Sequence, residues 1–321
     1  MKYLVIIFLL LTLSNCDREE IPVEPRPPGD AIIGQVDLRS DYLHQIWFNL
    51  SDNQIISTNS KTDWDLSFEI TGTEELILLN TAKLMFAART QEEDILNVMD
   101  TVGLDFDWDV SSGNTDSLAI TDWKNHDKIW VIDRGIDELG RHLGFAKVTF
   151  NLNSDNSIDI QWAELNGLSW NTTIVVEREG IRRSCFSFET GQQIDIEPQS
   201  VEWDIVFTQY TFIFDQIEEI TPYLVTGVLG NTDRVEAMQV FDKSFEEISR
   251  ENIDQSRFSK VQDIIGYDWK YYDFDANSYL IEPNRNFVVR TADGVLYKLH
   301  FIDFYNDMGE KGNPQFEIAR L

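Results

Sequence analysis

The chain has 321 residues, with 56 Asp and Glu against 26 Lys and Arg and a formal net charge of −30. That balance excludes a basic stripe for nucleic acid and disfavours phosphate ligands by repulsion. The length allows a substantial core, as one large β domain over residues 34–321 or as two packed units at about 34–190 and 191–321.

The first residues carry one Lys and then an apolar run too short to span a bilayer, which reads as a secretory signal. It ends at Leu13-Ser14-Asn15-Cys16, which resembles the bacterial lipobox, although Asn15 stands where a small Gly or Ala is usual. In a lipobox the Cys thiol is acylated and becomes the mature N-terminus. Residues 1–15 are thus expected to be a lipoprotein signal peptide and Cys16 the lipidation site. The alternative is an ordinary signal peptide with an incidental Cys. Residues 16–33 read as a linker, since Pro22, Pro25, Pro27 and Pro28 favour an extended spacer. The acidic run Asp17-Arg18-Glu19-Glu20 resembles the surface-export signal of Bacteroidetes lipoproteins.

From Gly34 onward strand patterns dominate. Residues 44–50 form one, closed by the turn-prone Ser51-Asp52-Asn53. Residues 62–69 alternate, with Trp64, Leu66 and Phe68 on one face and Asp65, Ser67 and Glu69 on the other. Residues 75–89 are one bent strand or two, and residues 91–99 helix or loop. Residues 128–133 and 144–152 are strands, and the turn at Asn153–Asn156 joins the latter to residues 157–165. Residues 173–177 and 183–189 continue the pattern. The stretch 201–211 repeats the Trp-Asp-x-x-Phe signature, with Trp203, Ile205 and Phe207 expected inward and Glu202, Asp204 and Thr208 outward. Residues 223–229 form a further strand. A short helical insertion is expected near 244–265, from the capping box Ser244…Glu247 and the apolar spacing of Phe258, Val261, Ile264 and Ile265, stopped by Gly266. At the end, residues 286–292 and 295–305 flank Asp293-Gly294, a strong hairpin signal. The fold class is mainly β, with Trp64, Phe68, Trp203, Ile205 and Phe207 as core.

Chemistry is sparse. Cys185 sits in a strand, where a lone Cys is commonly a small core residue; Arg182 and Arg183 are the support for a reactive thiolate. Asp105-Phe106-Asp107-Trp108-Asp109 reads as calcium loop or as strand. An EF-hand needs Gly sixth and Glu twelfth, and Val110 and Asp116 stand there, so no metal site is assigned. Gly-x-Ser-x-Gly, His-Glu-x-x-His and P-loop motifs are missing, and no catalytic residue is assigned. The imidazoles are His44, His126, His142 and His300. His44 and His300 lie in strands; His126 and His142 lie in loop-like surroundings, where binding residues concentrate.

Several of these stretches together are similar to one family. They are Trp203-Asp204-Ile205-Val206-Phe207-Thr208-Gln209-Tyr210, Tyr223-Leu224-Val225-Thr226-Gly227-Val228-Leu229, Ile265-Gly266-Tyr267-Asp268-Trp269-Lys270 and the ending at residues 289–305 and 312–321. They resemble the HmuY family, haem-binding surface lipoproteins of Bacteroidetes. The resemblance is good from about Val201 onward and thin between Glu75 and Gly144. It implies an HmuY-like antiparallel β-sheet fold on the outer membrane, lipid-anchored and facing the exterior. It also implies non-catalytic capture of haem or a related ligand in a cleft between sheets, with delivery to a TonB-dependent outer-membrane receptor. The family's axial ligands cannot be placed here by motif. His126 and His142 are the candidate pair, with Met85 and Met99 as candidate soft ligands. The alternative is a structural or interaction lipoprotein that kept the fold and lost the haem site.

Overall fold

Short alternating apolar runs broken by Asn, Asp and Gly fold into twenty strands among the described residues, which in this computed structural model are 31–70, 75–125, 128–214 and 221–321. Residues 1–30, with Cys16 and most of the linker, lie outside them, as does His126. The strands are β1 Ile32–Gln35, β2 His44–Asn49, β3 Gln54–Ser60, β4 Leu66–Glu69, β5 Leu76–Leu79, β6 Phe86–Arg89, β7 Trp130–Asp133, β8 Phe145–Leu152, β9 Ile158–Glu164 and β10 Asn171–Val175. Then follow β11 Ser184–Ser187, β12 Gln192–Ile194, β13 Ile205–Phe214, β14 Thr221–Gly230, β15 Val235–Val240, β16 Lys270–Asp273, β17 Ser278–Ile281, β18 Asn286–Thr291, β19 Leu296–Tyr305 and β20 Lys311–Arg320. The mainly β, antiparallel class expected from the sequence is the class observed.

The strand orders repeat. One four-stranded sheet runs β12-β11-β4-β5 and another β3-β2-β13-β14; one five-stranded sheet runs β10-β9-β8-β7-β6 and another β1-β20-β19-β18-β15. Strands β4 to β12 therefore match, one for one, β13, β14, β15, β18, β19, β20, β1, β2 and β3. The hairpin β16–β17 is extra to the second set. Small details repeat too. Ala87 exchanges both backbone hydrogen bonds with Asp107, and Ala237 does so with Ser259. The second set is completed by the first three strands of the chain, and β1 pairs with β20.

The repeat is tightest at the two Trp-Asp corners. Asp65 N–H donates to Phe186 O (2.8 Å) and Asp204 N–H to Phe48 O (2.9 Å). Asp65 Oδ2 accepts from Phe188 N (2.7 Å), and Asp204 Oδ2 from Leu50 N (2.9 Å). Asn80 Nδ2 donates to the Lys61 and Trp64 carbonyls (2.7 and 2.8 Å), and Asn231 Nδ2 to those of Ser200 and Trp203 (3.0 Å each). A cation closes each corner, Lys83 on Asp65 and Arg234 on Asp204. Both Asp residues are buried, so neither lies on the solvated face that simple alternation assigns them.

The reason is where the strands begin. Strand β13 starts at Ile205 and β4 at Leu66, so each Trp lies before its strand, separated from it by a bend at the Asp. Ile205 and Phe207 enter one apolar cluster with Phe48, Phe301 and Phe316, and Leu66 and Phe68 a second with Phe150 and Phe186. Trp203 instead joins Trp47, Cys185, Val206 and Tyr210, with Trp64 packed half-buried against them. The expectation that each Trp shares a face with the following apolar residues is thus corrected: the tryptophans form a third cluster between the two cores.

The helical insertion near 244–265 is also corrected. The capping box closes as expected, with Ser244 N–H on Glu247 Oε2 at 3.0 Å, but one 3-10 turn, Gln255–Arg257, is all that is helical there. From Ser259 onward the backbone pairs with strand edges instead of itself. Ser259 binds Ala237, Gln262 O accepts from Gly230 N, and Gly266 binds Val228. Gly266 has φ +64°, a conformation that favours glycine.

Candidate functional site

The histidine pair can be followed only at His142. It lies on the β7–β8 connection, whose shape local chemistry dictates. Gly135 has φ +69°, and a Cβ there would meet Lys83 O at 1.9 Å, so no other residue fits. Asp137 accepts from Leu139 N (2.9 Å), Arg141 N (2.8 Å) and Arg141 Nε (2.6 Å), closing a tight loop before His142. The imidazole is 46 % exposed, with Nε2 2.8 Å from Asp133 Oδ1. Its Nδ1 accepts from Gly144 N at 3.3 Å, and its ring lies 5.0 Å from that of Phe145. A carboxylate on one ring nitrogen is how ligating histidines are commonly oriented. The nitrogen left for a ligand is Nδ1, which would give up its long bond to Gly144.

Through Phe145 it adjoins an apolar surface on β7 and β8. Ile95, Val98, Ile129 and Val131 are buried there, with Leu104, Phe106 and Phe145 packed against them. Met99 reaches the same surface: it is 44 % exposed, and its sulfur lies 3.8 Å from Lys147 Nζ, two residues along β8 from Phe145. Phe145 also lines a groove of about 450 Å³ with Arg134, Trp162, Phe188 and Glu189. That is within the usual range for small-molecule sites. The Arg134 guanidinium stands over the Phe188 ring at 5.6 Å and also reaches Asp65, 3.5 Å away. Aromatic walls beside one guanidinium and one exposed imidazole suit a flat, apolar ligand bearing an acid group.

The other candidates are placed elsewhere. Met85 is buried in the second core. His300 is 1 % exposed in β19, opposite Asn286 and 6.0 Å from the Phe245 ring. His44 begins β2 and sets Nδ1 3.0 Å from Asp37 O. Cys185 is buried, and desolvation pushes its thiol pKa far up, which opposes reactivity. Asp109 accepts from the Leu79 and Ala119 amides; burial still raises it to about 6. Among the described residues no group of three or more His, Cys, Asp or Glu is arranged to hold a metal ion. Sequence reasoning missed Arg134, Trp162 and Phe188, which come from β9 and from just past the ends of β7 and β11 and carry no local signature. It also missed the aromatic end of the β13–β14 hairpin, where Phe212 lies 5.1 Å from Phe214 and 4.9 Å from Tyr267.

The model of the HmuY protein family matches residues 223–318, which run from within β14 to within β20. No curated protein matches the chain. Three solved structures are similar over most of their length. Apo PinO from Porphyromonas gingivitis is 8 % identical, covering 92 % of this chain and 98 % of that one, at a TM-score of 0.30. A protein of Bacteroides fragilis described as a lipoprotein is 10 % identical, covering 89 % and 88 %, at 0.23. A protein of Bacteroides vulgatus described as HmuY-like and haem-binding is 9 % identical, covering 93 % and 97 %, at 0.23. Superpositions this loose fix no ligand for this chain.

Proposed function

We propose, from the premise that residues 223–318 carry the HmuY family's pattern, that this chain is a lipoprotein that binds haem or a related ligand without catalysis. In this reading Cys16 carries the lipid, the chain faces outward from the outer membrane, and the ligand passes to a TonB-dependent receptor. The family match is the observation that carries the reading. The surface at His142 supports it, since an exposed imidazole oriented by Asp133 lies beside Phe145, which packs in turn against Phe106. His142 Nδ1 and the Met99 sulfur are the donors a haem iron would meet, and Arg134 is the cation for a ligand carboxylate. Haem would lie on this open surface.

The test is a haem titration of protein made without Cys16. A Soret band is expected, weakened in His142→Ala and shifted in Met99→Leu. A band unchanged in both variants would remove this surface from consideration. No band from folded protein would favour the second reading, an interaction lipoprotein that kept the fold without the ligand. One observation favours that second reading: the cavity between the two four-stranded sheets measures about 80 Å³, well below the roughly 300 Å³ at which ligand sites begin.

A further inference from the structure

That cavity has a chemistry of its own. It lies where the two four-stranded sheets meet, and each Trp-Asp corner contributes to it, Trp64 from one and Trp203 from the other. Trp47, Arg182, Arg183 and Glu197 complete the part that matters here. Most polar groups around it are satisfied by the fold. Gln45 Oε1 accepts from Asn59 Nδ2 and Trp64 Nε1, each at 2.9 Å, and Asn231 holds two carbonyls.

Three groups are left over. Glu197 is 7 % exposed, and its carboxyl makes no hydrogen bond or ion pair with any described residue. Trp203 Nε1 is buried without an acceptor. Arg183 reaches Glu69 Oε2 through Nε alone, at 3.4 Å, and its two terminal nitrogens bind no described residue. Arg182 Nε lies on the same Glu69 oxygen at 2.9 Å, so two guanidiniums share that carboxylate. Asp233, 3.6 Å from Arg182, is more than half exposed and screened by water. Two guanidiniums that share one carboxylate and a buried carboxyl without a hydrogen bond therefore line the same cavity. Buried polar groups without partners are costly, and a site that keeps them is built for something that supplies the partners.

We propose that this cavity binds a small zwitterion, an α-amino acid of the size of glycine or alanine. Its ammonium pairs with Glu197, and its carboxylate takes the Arg183 terminal nitrogens and the Trp203 indole N–H. The indole rings of Trp47 and Trp64 wall its carbon atoms. Size sets the limit, since about 80 Å³ holds roughly three waters. Longer side chains and a porphyrin are excluded. Arg182, Arg183 and Gln262 are partly exposed, and mark the side on which the cavity opens. The proposal is separate from the haem reading, for it uses neither His142 nor the outer groove.

Calorimetric titration of glycine and alanine into the full chain in detergent tests it, with indole fluorescence as a second readout. One-to-one binding and a change in Trp emission are expected. Phenylalanine, acetate and methylammonium should each bind at least tenfold more weakly, because each lacks one of the fits. Glu197→Gln and Arg183→Gln should each weaken glycine at least tenfold. Glu197→Gln keeps the shape and removes a buried charge, so it is expected to fold, and circular dichroism checks this. Folded wild-type protein that gives neither heat nor an emission change with millimolar glycine would overturn the proposal and leave the cavity to water. So would glycine binding equally well to the Glu197→Gln variant.

Discussion

Glu197 and Trp203 show what single side chains do here. Burial raises the Glu197 carboxyl from 4.5 to about 7, with Arg183 and Arg182 opposing the shift. The folded chain then binds more protons than the unfolded one across that interval. Stability falls as pH rises from about 4.5 to about 7, and the full cost persists above it. Glu197→Gln should accordingly raise stability by on the order of 3 kcal/mol at pH 8 and leave it nearly unchanged at pH 4, read by urea denaturation at both values. Equal effects at the two would mean the carboxyl titrates normally. Lys270 runs the other way. Burial lowers its pKa to about 7, so the cost of charging it is present below that value and fades toward alkaline pH. Its Nζ lies 4.1 Å from the Trp269 ring centroid and 4.7 Å from that of Phe304, with 2.5 Å to Thr226 O. Trp203, 5 % exposed and edge-on to Trp47 at 4.6 Å, should lose about 3–5 kcal/mol on mutation to Ala. Half-buried Trp64 should lose about half as much under the same denaturation.

At the scale of elements, the corners are the joints. Asn231→Ala strips the Ser200 and Trp203 carbonyls of their donor, and Asn80→Ala does the same to Lys61 and Trp64. Each should cost about 1–3 kcal/mol. A loss below a few tenths in either would mean water replaces the amide. The repeated Trp-Asp-x-x-Phe pattern was legible in the sequence, and so was the burial of Phe68, Ile205 and Phe207. What the tryptophans do was not. Period-two alternation holds only inside a strand, and each Trp stands before its strand begins. The lost helix has the same kind of cause. Phe258, Ile264 and Ile265 have helical spacing, yet their segment finds hydrogen-bond partners on β14 and β15, a contest no local pattern reveals. His142 was legible as a loop residue. Its Asp133 partner, nine positions earlier, was not.

Across the whole molecule, two copies of one nine-strand arrangement share the chain unequally. The copy from β4 to β12 is contiguous; the other takes its last three strands from the N-terminus. The match to residues 223–318 falls in the second copy and stops short of β1 to β3, which lie at the far end of the chain. Sequence shows two Trp-Asp signatures but gives no sign that the first strands belong with the last. Ile32 pairs with Ile318, so the end of β20 lies beside the start of β1. The matching ends of β9 and β10 are joined by the loop after Glu164. A permuted chain that begins at Lys61, joins Leu321 to Ala31 by a short turn and ends at Ser60 should therefore fold. Its melting temperature should stay within a few degrees of the parent's; a chain that fails to fold would refute the equivalence. The crossed arrangement also bears on how the protein is made. Strands β1 to β3 emerge first, whereas β13, which pairs with β2, follows the whole contiguous copy and β20, which pairs with β1, is the last strand of all. The contiguous copy can mature while the leading strands wait with open edges, so a holdase on nascent residues 31–60 is the helper this order of emergence calls for.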